Sequence, residues 1–207
     1  LDVPSKVENV YAVKPIERLL EAQERILALN ADKQITIAIL GGGPSAAEIA
    51  GNIWQLAHLS GQQAPQINIF AGKRFMARFS EKVRNKVAQS LNERGISIDT
   101  SGYVQTVAPG SLTLESGRQH ACDLVFLALG VKPNPIFTHS HLPTGPDGGL
   151  LVNPYLQCSR YPQIFGGGDC IYFEPRPLDK VGVYAVRQNP ILYANLMAAL
   201  DERPLQA

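Results

Sequence analysis

Three consecutive glycines end an apolar stretch in the segment ITIAILGGGPSAAEIAGNI. Gly41, Gly43 and Ala46 match the spacing GxGxxG/A. In that motif the first residue permits a tight turn, the second lets a pyrophosphate approach the backbone, and the third lets a helix pack closely on a strand. The following helix would present free N–H groups and a partial positive charge to phosphates. The pattern predicts that this turn, including Gly42, binds a dinucleotide. The alternative is that the glycines have a purely structural role in the turn.

A buried strand must lead into such a turn and a helix must leave it. Residues 35–40 are rich in isoleucine, which is typical of a strand buried on both faces of a parallel sheet. Residues 46–59 repeat apolar side chains at helical spacing, and another short apolar run follows at residues 67–70. Strand, helix and strand in this order predict a βαβ unit, the context that the glycine motif requires.

The flanking segments predict further elements of the same domain. Residues 1–31 are typical of an extended linker followed by a helix, which Pro15 would open and which would end near Asn30. Ser80 and Gly95 fit the two ends of a second crossover helix, and residues 96–98 fit a third parallel strand. An antiparallel meander is expected from Tyr103 to His120, after which CDLVFLALG returns a strand to the parallel sheet.

The composition changes beyond Gly130, where prolines and glycines interrupt every regular pattern up to residue 149. This stretch predicts a connection between domains or a long functional loop. Two short strands are expected at residues 150–153 and 163–165, and a terminal helix from about Pro190 with Asn189 as its cap. These last elements are too few to bury a core by themselves.

The end of the second strand bears on the choice of nucleotide. An acidic residue there normally accepts hydrogen bonds from the adenosine ribose, but in INIFAGKRF that place is taken by Phe70 or Ala71. Lys73 and Arg74 follow at once and would attract a 2′-phosphate, so NADPH fits the segment at least as well as NADH. The alternative is that these cations belong to the solvated face of the next helix.

Composition and charge exclude several classes of protein. The formal net charge of +1 argues against a strongly basic nucleic-acid binder. No apolar run reaches the roughly 18 to 20 residues of a transmembrane segment, and no secretory leader is visible. The three cysteines lack the spacing of a metal site, so no metal is predicted. We therefore expect a cytoplasmic protein, with peripheral membrane contact as a further option.

Several stretches together resemble one family. DLVFLALGVKPNP resembles the A-T-G-x-x-P-N segment that closes the nucleotide domain of two-dinucleotide flavoproteins, and YPQIFGGGDC resembles their second flavin motif. With the glycine turn, this order resembles the type II NADH dehydrogenase-like branch of the pyridine nucleotide-disulfide oxidoreductase superfamily. VKPIERLL and LDKVGVYAVRQNPILYANL are similar to its members that are fused to selenide, water dikinase. Those proteins begin with an ADP-binding half that is absent here, so the chain looks like a C-terminal fragment.

The resemblance implies a fold and its division. The fold class is α/β, with a Rossmann-like three-layer nucleotide-binding domain that carries an antiparallel meander, and with an incomplete second FAD-binding domain. We expect a linker and helix at residues 1–31, the NAD(P)-binding domain at residues 32–126, and the C-terminal part of the FAD-binding domain at residues 127–207. A second copy of the chain, in a homodimer, is one way to cover the exposed apolar face of an incomplete domain.

The resemblance also implies an activity. Hydride would pass from NADH or NADPH to FAD, and electrons would continue to a quinone or another small acceptor, while the protein supplies binding and orientation. The full-length protein would be the enzyme, and this chain alone would be inactive. The alternative is a nucleotide-binding or sensing module without catalytic activity.

Within the nucleotide domain, the resemblance assigns Glu48 a place close to the nicotinamide. The alternative for Glu48 is a carboxylate in the first turn of a helix, stabilising the macrodipole. Gly130 matches the glycine of the A-T-G motif, with Leu129 in place of its threonine.

Within the flavin domain, the resemblance assigns cofactor contacts to four residues. Gly168 and Asp169 match the glycine and aspartate of the second flavin motif, and the aspartate would bind the ribityl or phosphate region. Lys180 and Gly182 lie in the segment that passes beside the isoalloxazine in relatives. Asp169 could instead be only a turn residue, and a solvent-exposed side chain is the simpler interpretation of Lys180.

Overall fold

The computed structural model describes residues 1–2, 8–14 and 16–207, and the chain separates into two units, Leu1–Gly130 and Val131–Ala207. The first unit therefore extends to both sides of the expected nucleotide domain. It includes residues 127–130, which the sequence placed with the second part of the chain.

A parallel sheet of five strands forms the centre of the first unit, in the order β1-β8-β2-β3-β4. An antiparallel meander of three strands, in the order β5-β6-β7, completes its β structure. The strands are β1 (Val10–Ala12), β2 (Thr36–Leu40), β3 (Gln66–Phe70), β4 (Ser97–Asp99), β5 (Val104–Ala108), β6 (Ser111–Leu114), β7 (Gln119–Ala121) and β8 (Leu124–Leu127).

Three helices accompany these strands: α1 (Arg18–Asp32), α2 (Pro44–Leu59) and α3 (Glu81–Asn92). Successive side chains of a strand point to opposite faces, and β2 uses both faces for packing. Ile37 and Ile39 lie in one buried cluster with residues of all three helices. Ala38 and Leu40 lie in a second cluster with residues of the meander. The predicted three layers, helices, parallel sheet and meander, are therefore confirmed.

Two predictions for this unit need correction, and a third is confirmed in position only. The expected linker contains a strand, because β1 pairs in parallel with β8 at the edge of the sheet. The first helix ends at Asp32, two residues beyond the predicted end, while Pro15 lies outside the described residues. Ser80 does occupy the N-cap position of α3, but its side chain makes no capping hydrogen bond.

The second unit contains a short helix α4 (Ile136–His139), two paired parallel strands β9 (Leu150–Val152) and β10 (Ile171–Phe173), and a long helix α5 (Gly182–Leu200). A single 3-10 turn, Gly168–Cys170, immediately precedes β10. None of the helices in the described part of the chain is both long and apolar enough to cross a membrane.

The sequence predicted this unit less well. Residues 163–165 form only an isolated bridge, through Phe165 to Gln157, and the second strand is β10 instead. The terminal helix begins at Gly182 rather than near Pro190, which lies inside it. The unit also has a small core of its own, against expectation. That core consists of Leu150, Val152, Leu156, Cys158 and Ile171, with partly buried side chains around it.

Candidate nucleotide-binding site

The glycine turn lies at the carboxyl end of β2, between two neighbouring strands. The chain leaves β2 through α2 to reach β3 on one side, while β8 pairs with β2 on the other side. The Gly41 N–H donates to Phe70 O at 3.0 Å, and the Ala128 N–H donates to Leu40 O at 2.8 Å. A crevice at such a reversal of strand order is where open parallel sheets bind ligands.

Gly41 is required by the fold of the chain itself. Its φ is +139°, in a region that side chains disfavour. A Cβ atom at this position would lie 2.2 Å from the carbonyl oxygen of Ala128, the residue that follows β8. The first glycine of the motif therefore lets β2 and the end of β8 approach each other.

Gly42 is the contact point for the loop that follows β3. A Cβ atom there would lie 2.8 Å from the carbonyl oxygen of Ala71 and 3.0 Å from that of Arg74. The Met76 N–H donates to Gly42 O at 2.6 Å. The loop that carries Lys73 and Arg74 is thus held directly against the glycine turn.

Gly43 differs from both, because nothing in the described chain accounts for a glycine at this position. Its φ of −94° and ψ of −179° are accessible to any residue, and a Cβ atom would meet no described atom within 4 Å. It is the N-cap of α2, and no side chain caps this helix. The open space therefore lies beside an uncapped helix N-terminus.

Ala46, at the third position of the motif, is fully buried. It belongs to the cluster that joins α2 to the parallel sheet, together with Ala50 one turn later. A small side chain here lets α2 pack closely on the sheet, as the motif requires.

Glu48 is exposed on α2 and is the fifth residue of the helix. The first turn of α2 contains no acidic residue, so the interpretation of Glu48 as a first-turn carboxylate is wrong. Its carboxylate makes no hydrogen bond or ion pair with any residue that the structure describes.

Gly130 and Leu129 extend the same edge of the sheet. Both follow the carboxyl end of β8, next to the Ala128 carbonyl that contacts the glycine turn. Gly130 has a φ of +89°, which favours glycine, and Leu129 is 59% exposed. Leu129 offers an apolar surface, rather than a hydroxyl, at the position of the family's threonine.

Lys73 and Arg74 are exposed in the loop after β3, and Ala71 is buried where an acidic residue was sought. The structure thus brings the glycine turn, the two cations and Gly130 to one edge of one sheet. Aspartate Asp99, at the carboxyl end of β4, is engaged elsewhere, since Ser101 and Arg118 both donate to it.

The second glycine turn, Gly166–Gly168, lies in the other unit and is tightly packed. Cβ atoms at its three positions would lie 2.8, 3.3 and 3.1 Å from the side chains of Ile171, Leu192 and Ala185 respectively. The Gly168 N–H donates to the side-chain oxygen of Gln188 at 2.6 Å. Gln188 is only 8% exposed, so it fixes this turn against α5.

Asp169 follows Gly168 in the 3-10 turn and is half-buried. The next residue, Cys170, donates its thiol to Gly167 O at 3.0 Å. Asp169 is therefore presented from a rigid turn at the start of β10.

Lys180 is largely buried, with 14% of its side chain exposed, so the expectation of a solvent-exposed lysine is wrong. Its ammonium group lies 2.8 Å from Asp147 and donates to the carbonyl oxygen of Ile171. Burial would raise the pKa of Asp147, but hydrogen bonds from Lys180 and the Gly149 N–H outweigh it and lower that pKa. Lys180 thus fastens the segment before α5 to β10, the strand that follows Asp169 in the chain. Gly182 is the first residue of α5, and a Cβ atom there would meet no described atom within 4 Å.

Gln188 was missed by the sequence reasoning. It lies between Arg187 and Asn189 in a polar stretch of the sequence, so nothing there singled it out. Its partner is a backbone N–H that no sequence pattern identifies. Among the described residues no group of three potential metal ligands comes together.

Comparisons with known proteins identify relatives of this chain. The chain is 30% identical over 166 residues to the demethylphylloquinone reductase NdbB of a Synechocystis species, covering 79% of this chain and 39% of that protein. It is 25% identical over 149 residues to the type II NADH:quinone oxidoreductase of Haemophilus influenzae, covering 67% and 34% respectively. The chain therefore spans less than half the length of these relatives.

Solved structures and a family model extend the comparison. The fold resembles the NAD-dependent persulfide reductase from A. fulgidus, with a TM-score of 0.73, 21% identity, and coverage of 92% of this chain and 35% of that one. The family model described as pyridine nucleotide-disulphide oxidoreductase matches residues 5–190. This chain belongs to the pyridine nucleotide-disulphide oxidoreductase family.

Proposed function

We propose that this chain is the nucleotide-binding part of a flavoprotein that passes hydride from NADH or NADPH to FAD, and electrons on to a quinone or another small acceptor. Family membership supports the reaction class. The names of the relatives from Synechocystis and Haemophilus support a quinone as the acceptor. Within the family, we place the chain in the type II NADH dehydrogenase-like branch, near the members fused to selenide, water dikinase.

Gly43 is the observation that carries the nucleotide site. The packing of the chain explains Gly41 and Gly42, whereas the space at Gly43 is open and its backbone angles permit any side chain. A pyrophosphate would occupy that space and accept hydrogen bonds from the uncapped N-terminus of α2. Ala46 would contribute by holding α2 against the sheet.

Glu48, Leu129 and Gly130 would act on the nicotinamide end. Leu129 supplies an apolar surface that would exclude water from the reacting ring, and the open backbone at Gly130 would let the ring approach the sheet edge. Glu48, exposed and unpartnered within the described chain, is the carboxylate proposed to lie beside the nicotinamide.

The second unit fits one portion of FAD. Asp169, half-buried on a rigid turn, has the acceptor oxygens that a ribityl hydroxyl would need. Gly168 positions this carboxylate, and Lys180 and Gly182 set the start of α5, whose N–H groups attract negative charge. No glycine in the Gly166–Gly168 turn has open space for a diphosphate. When bound, FAD would accept hydride from the nucleotide and pass electrons on to the acceptor.

A partner that covers α5 is also proposed. The helix exposes large apolar side chains, among them Val186, Tyr193 and Leu200. Exposed apolar faces of this kind mark contact surfaces. The proposed partner that covers this face of α5 is a second copy of the chain, in a homodimer. Peripheral contact of the protein with a membrane is a further prediction.

Nucleotide titration and flavin absorbance test the proposal together. The 207-residue chain should change the fluorescence of NADH or NADPH saturably. The natural protein that contains this chain should carry a flavin whose absorbance bleaches when either nucleotide is added. Saturable binding without flavin reduction would favour the alternative, a nucleotide-binding or sensing module. No saturable binding of either nucleotide would contradict both.

A further inference from the structure

The start of α3 carries a local excess of positive charge. Residues 78–86 contain four of the 19 lysines and arginines of the chain and one of its 18 acidic residues. The rest of the chain therefore has 15 cations against 17 acidic residues and is net negative. A charge asymmetry of this kind indicates an anionic partner for the positive segment.

Two large apolar side chains are exposed within the same segment. Phe79 is 40% exposed and Val83 is 41% exposed. Phe79 closes a turn just before α3, where its N–H donates to Met76 O at 3.0 Å, and Val83 is the third residue of the helix. Neither side chain is among those that form or pack against the described core of the first unit. The fold of this unit therefore does not account for their apolar character.

The solvent side of α3 carries two lysines beside Val83. The opposite side of the helix packs against the core of the first unit through Val87, Ala88 and Leu91. Lys82 and Lys86 are exposed, and neither makes a hydrogen bond or ion pair with any described residue. Lys86 lies about 60° around the helix from Val83, whereas Glu81, the acidic residue of the segment, lies about 160° from it. The apolar side chain is thus flanked by free cations and not by the carboxylate.

A lipid surface accounts for this combination better than a protein surface does. Lysine is depleted at interfaces between proteins. At a bilayer, by contrast, a lysine stem can lie along apolar surface while its ammonium group stays among the headgroups. Exposed aromatic and aliphatic side chains can enter the boundary between headgroups and acyl chains. Anionic headgroups attract cations that lie close to the membrane surface.

We propose that the surface at the start of α3 binds the headgroup layer of an anionic lipid bilayer. We call this surface the basic edge, and it consists of Phe79, Lys82, Val83 and Lys86. The two apolar side chains enter the headgroup boundary, and the two ammonium groups contact the lipid phosphates. The inference rests on the peripheral membrane contact proposed above, for which it names the surface and the lipid class. It uses no residue assigned to the nucleotide site.

Co-sedimentation of the full chain with lipid vesicles tests the basic edge. The chain should bind vesicles of phosphatidylcholine mixed with phosphatidylglycerol, and should not bind vesicles of phosphatidylcholine alone. Lys82→Gln combined with Lys86→Gln should weaken binding to the anionic vesicles about 25-fold, since each cation near such a surface contributes a factor of about five. The matched control is Lys132→Gln combined with Arg176→Gln, which removes the same charge from exposed positions of the second unit and should keep the affinity.

Tryptophan fluorescence tests whether Phe79 enters the membrane. The chain contains one tryptophan, Trp54, which lies on α2, so Phe79→Trp adds a single reporter at the basic edge. Anionic vesicles with brominated acyl chains should quench the emission of Phe79→Trp much more than that of the unaltered chain. Equal quenching of the two proteins would show that Phe79 stays outside the bilayer and would overturn the inference.

Further outcomes separate the basic edge from the rest of the proposed function. Equal binding of anionic vesicles by the two double variants would leave the membrane contact in place and overturn its assignment to the basic edge. No binding of either kind of vesicle would overturn both, and saturable binding of NADH or NADPH in the same sample would then show that the nucleotide function stands. Lysine-dependent binding of polyglutamate without binding of anionic vesicles would assign the basic edge to an acidic protein and would overturn the inference.

Discussion

The two triple-glycine turns, Gly41–Gly43 and Gly166–Gly168, are alike in sequence and different in structure. In the second turn every glycine faces atoms of its own unit at 3.3 Å or closer. In the first turn two glycines do so, and Gly43 faces open space. The comparison separates glycines that the packing of the chain requires from a glycine that it does not require.

The backbone donors of the two turns differ in the same way. The Gly168 N–H is satisfied by Gln188, a side chain of the same unit. The N-terminus of α2 after Gly43 has no side-chain cap. We infer that the first turn binds a ligand directly, and that the second turn is a rigid support that presents Asp169.

Gly41→Ala should give the largest effect on stability. The added Cβ atom would collide with the Ala128 carbonyl at a φ of +139°, so we expect the free energy of unfolding to fall by about 3 kcal/mol or more. Urea denaturation followed by circular dichroism measures it. Gly51→Ala is the control, since its Cβ atom would meet nothing and alanine favours the helix. Equal stability of the Gly41 variant and the unaltered chain would contradict the account of this turn.

Gln188→Ala should have the next largest effect. It leaves the Gly168 N–H without its acceptor, which costs about 1–3 kcal/mol. Urea denaturation of this variant should be compared with that of Asn189→Ala, which removes an exposed amide from the same helix. If both variants lose the same stability, Gln188 does not support the second turn.

Asp147→Asn should give a smaller, pH-dependent effect, below about 1 kcal/mol because the carboxylate is partly exposed. The folded-state pKa of Asp147 is lowered from its ordinary value of 3.8. Its contribution to stability is therefore present above about pH 4 and is lost as the pH falls through the lowered pKa. The stability difference between the unaltered chain and the variant, measured by urea denaturation between pH 6 and pH 3, should shrink only at the acidic end. A difference independent of pH would show that the Lys180 ion pair does not contribute.

Local patterns allowed much of the first unit to be predicted from the sequence. The isoleucine-rich β2 and the small residues that open α2 are signals within a few neighbouring residues, and both elements form where expected. The start of α5 was predicted wrongly because proline is frequent at the first position of helices, whereas Pro190 lies inside this helix.

Long-range partners explain the remaining differences. Lys180 is buried because Asp147 and the Ile171 carbonyl are brought to it by folding. The segment at residues 10–12 looks irregular alone and becomes a strand because the edge of β8 is available to pair with it. The openness at Gly43 is likewise a property of the folded chain, which the spacing of glycines cannot reveal.

Gly43→Ser tests the central claim most directly, through two measurements on the same variant. Serine is a favoured N-cap, so the free energy of unfolding should stay the same or rise by a few tenths of a kcal/mol. Its side chain would fill the space assigned to the pyrophosphate, so the fluorescence titration should show at least about a tenfold loss of affinity for NADH and NADPH alike. Unchanged affinity for both nucleotides in a stable Gly43→Ser variant would contradict the claim that this turn is the binding site.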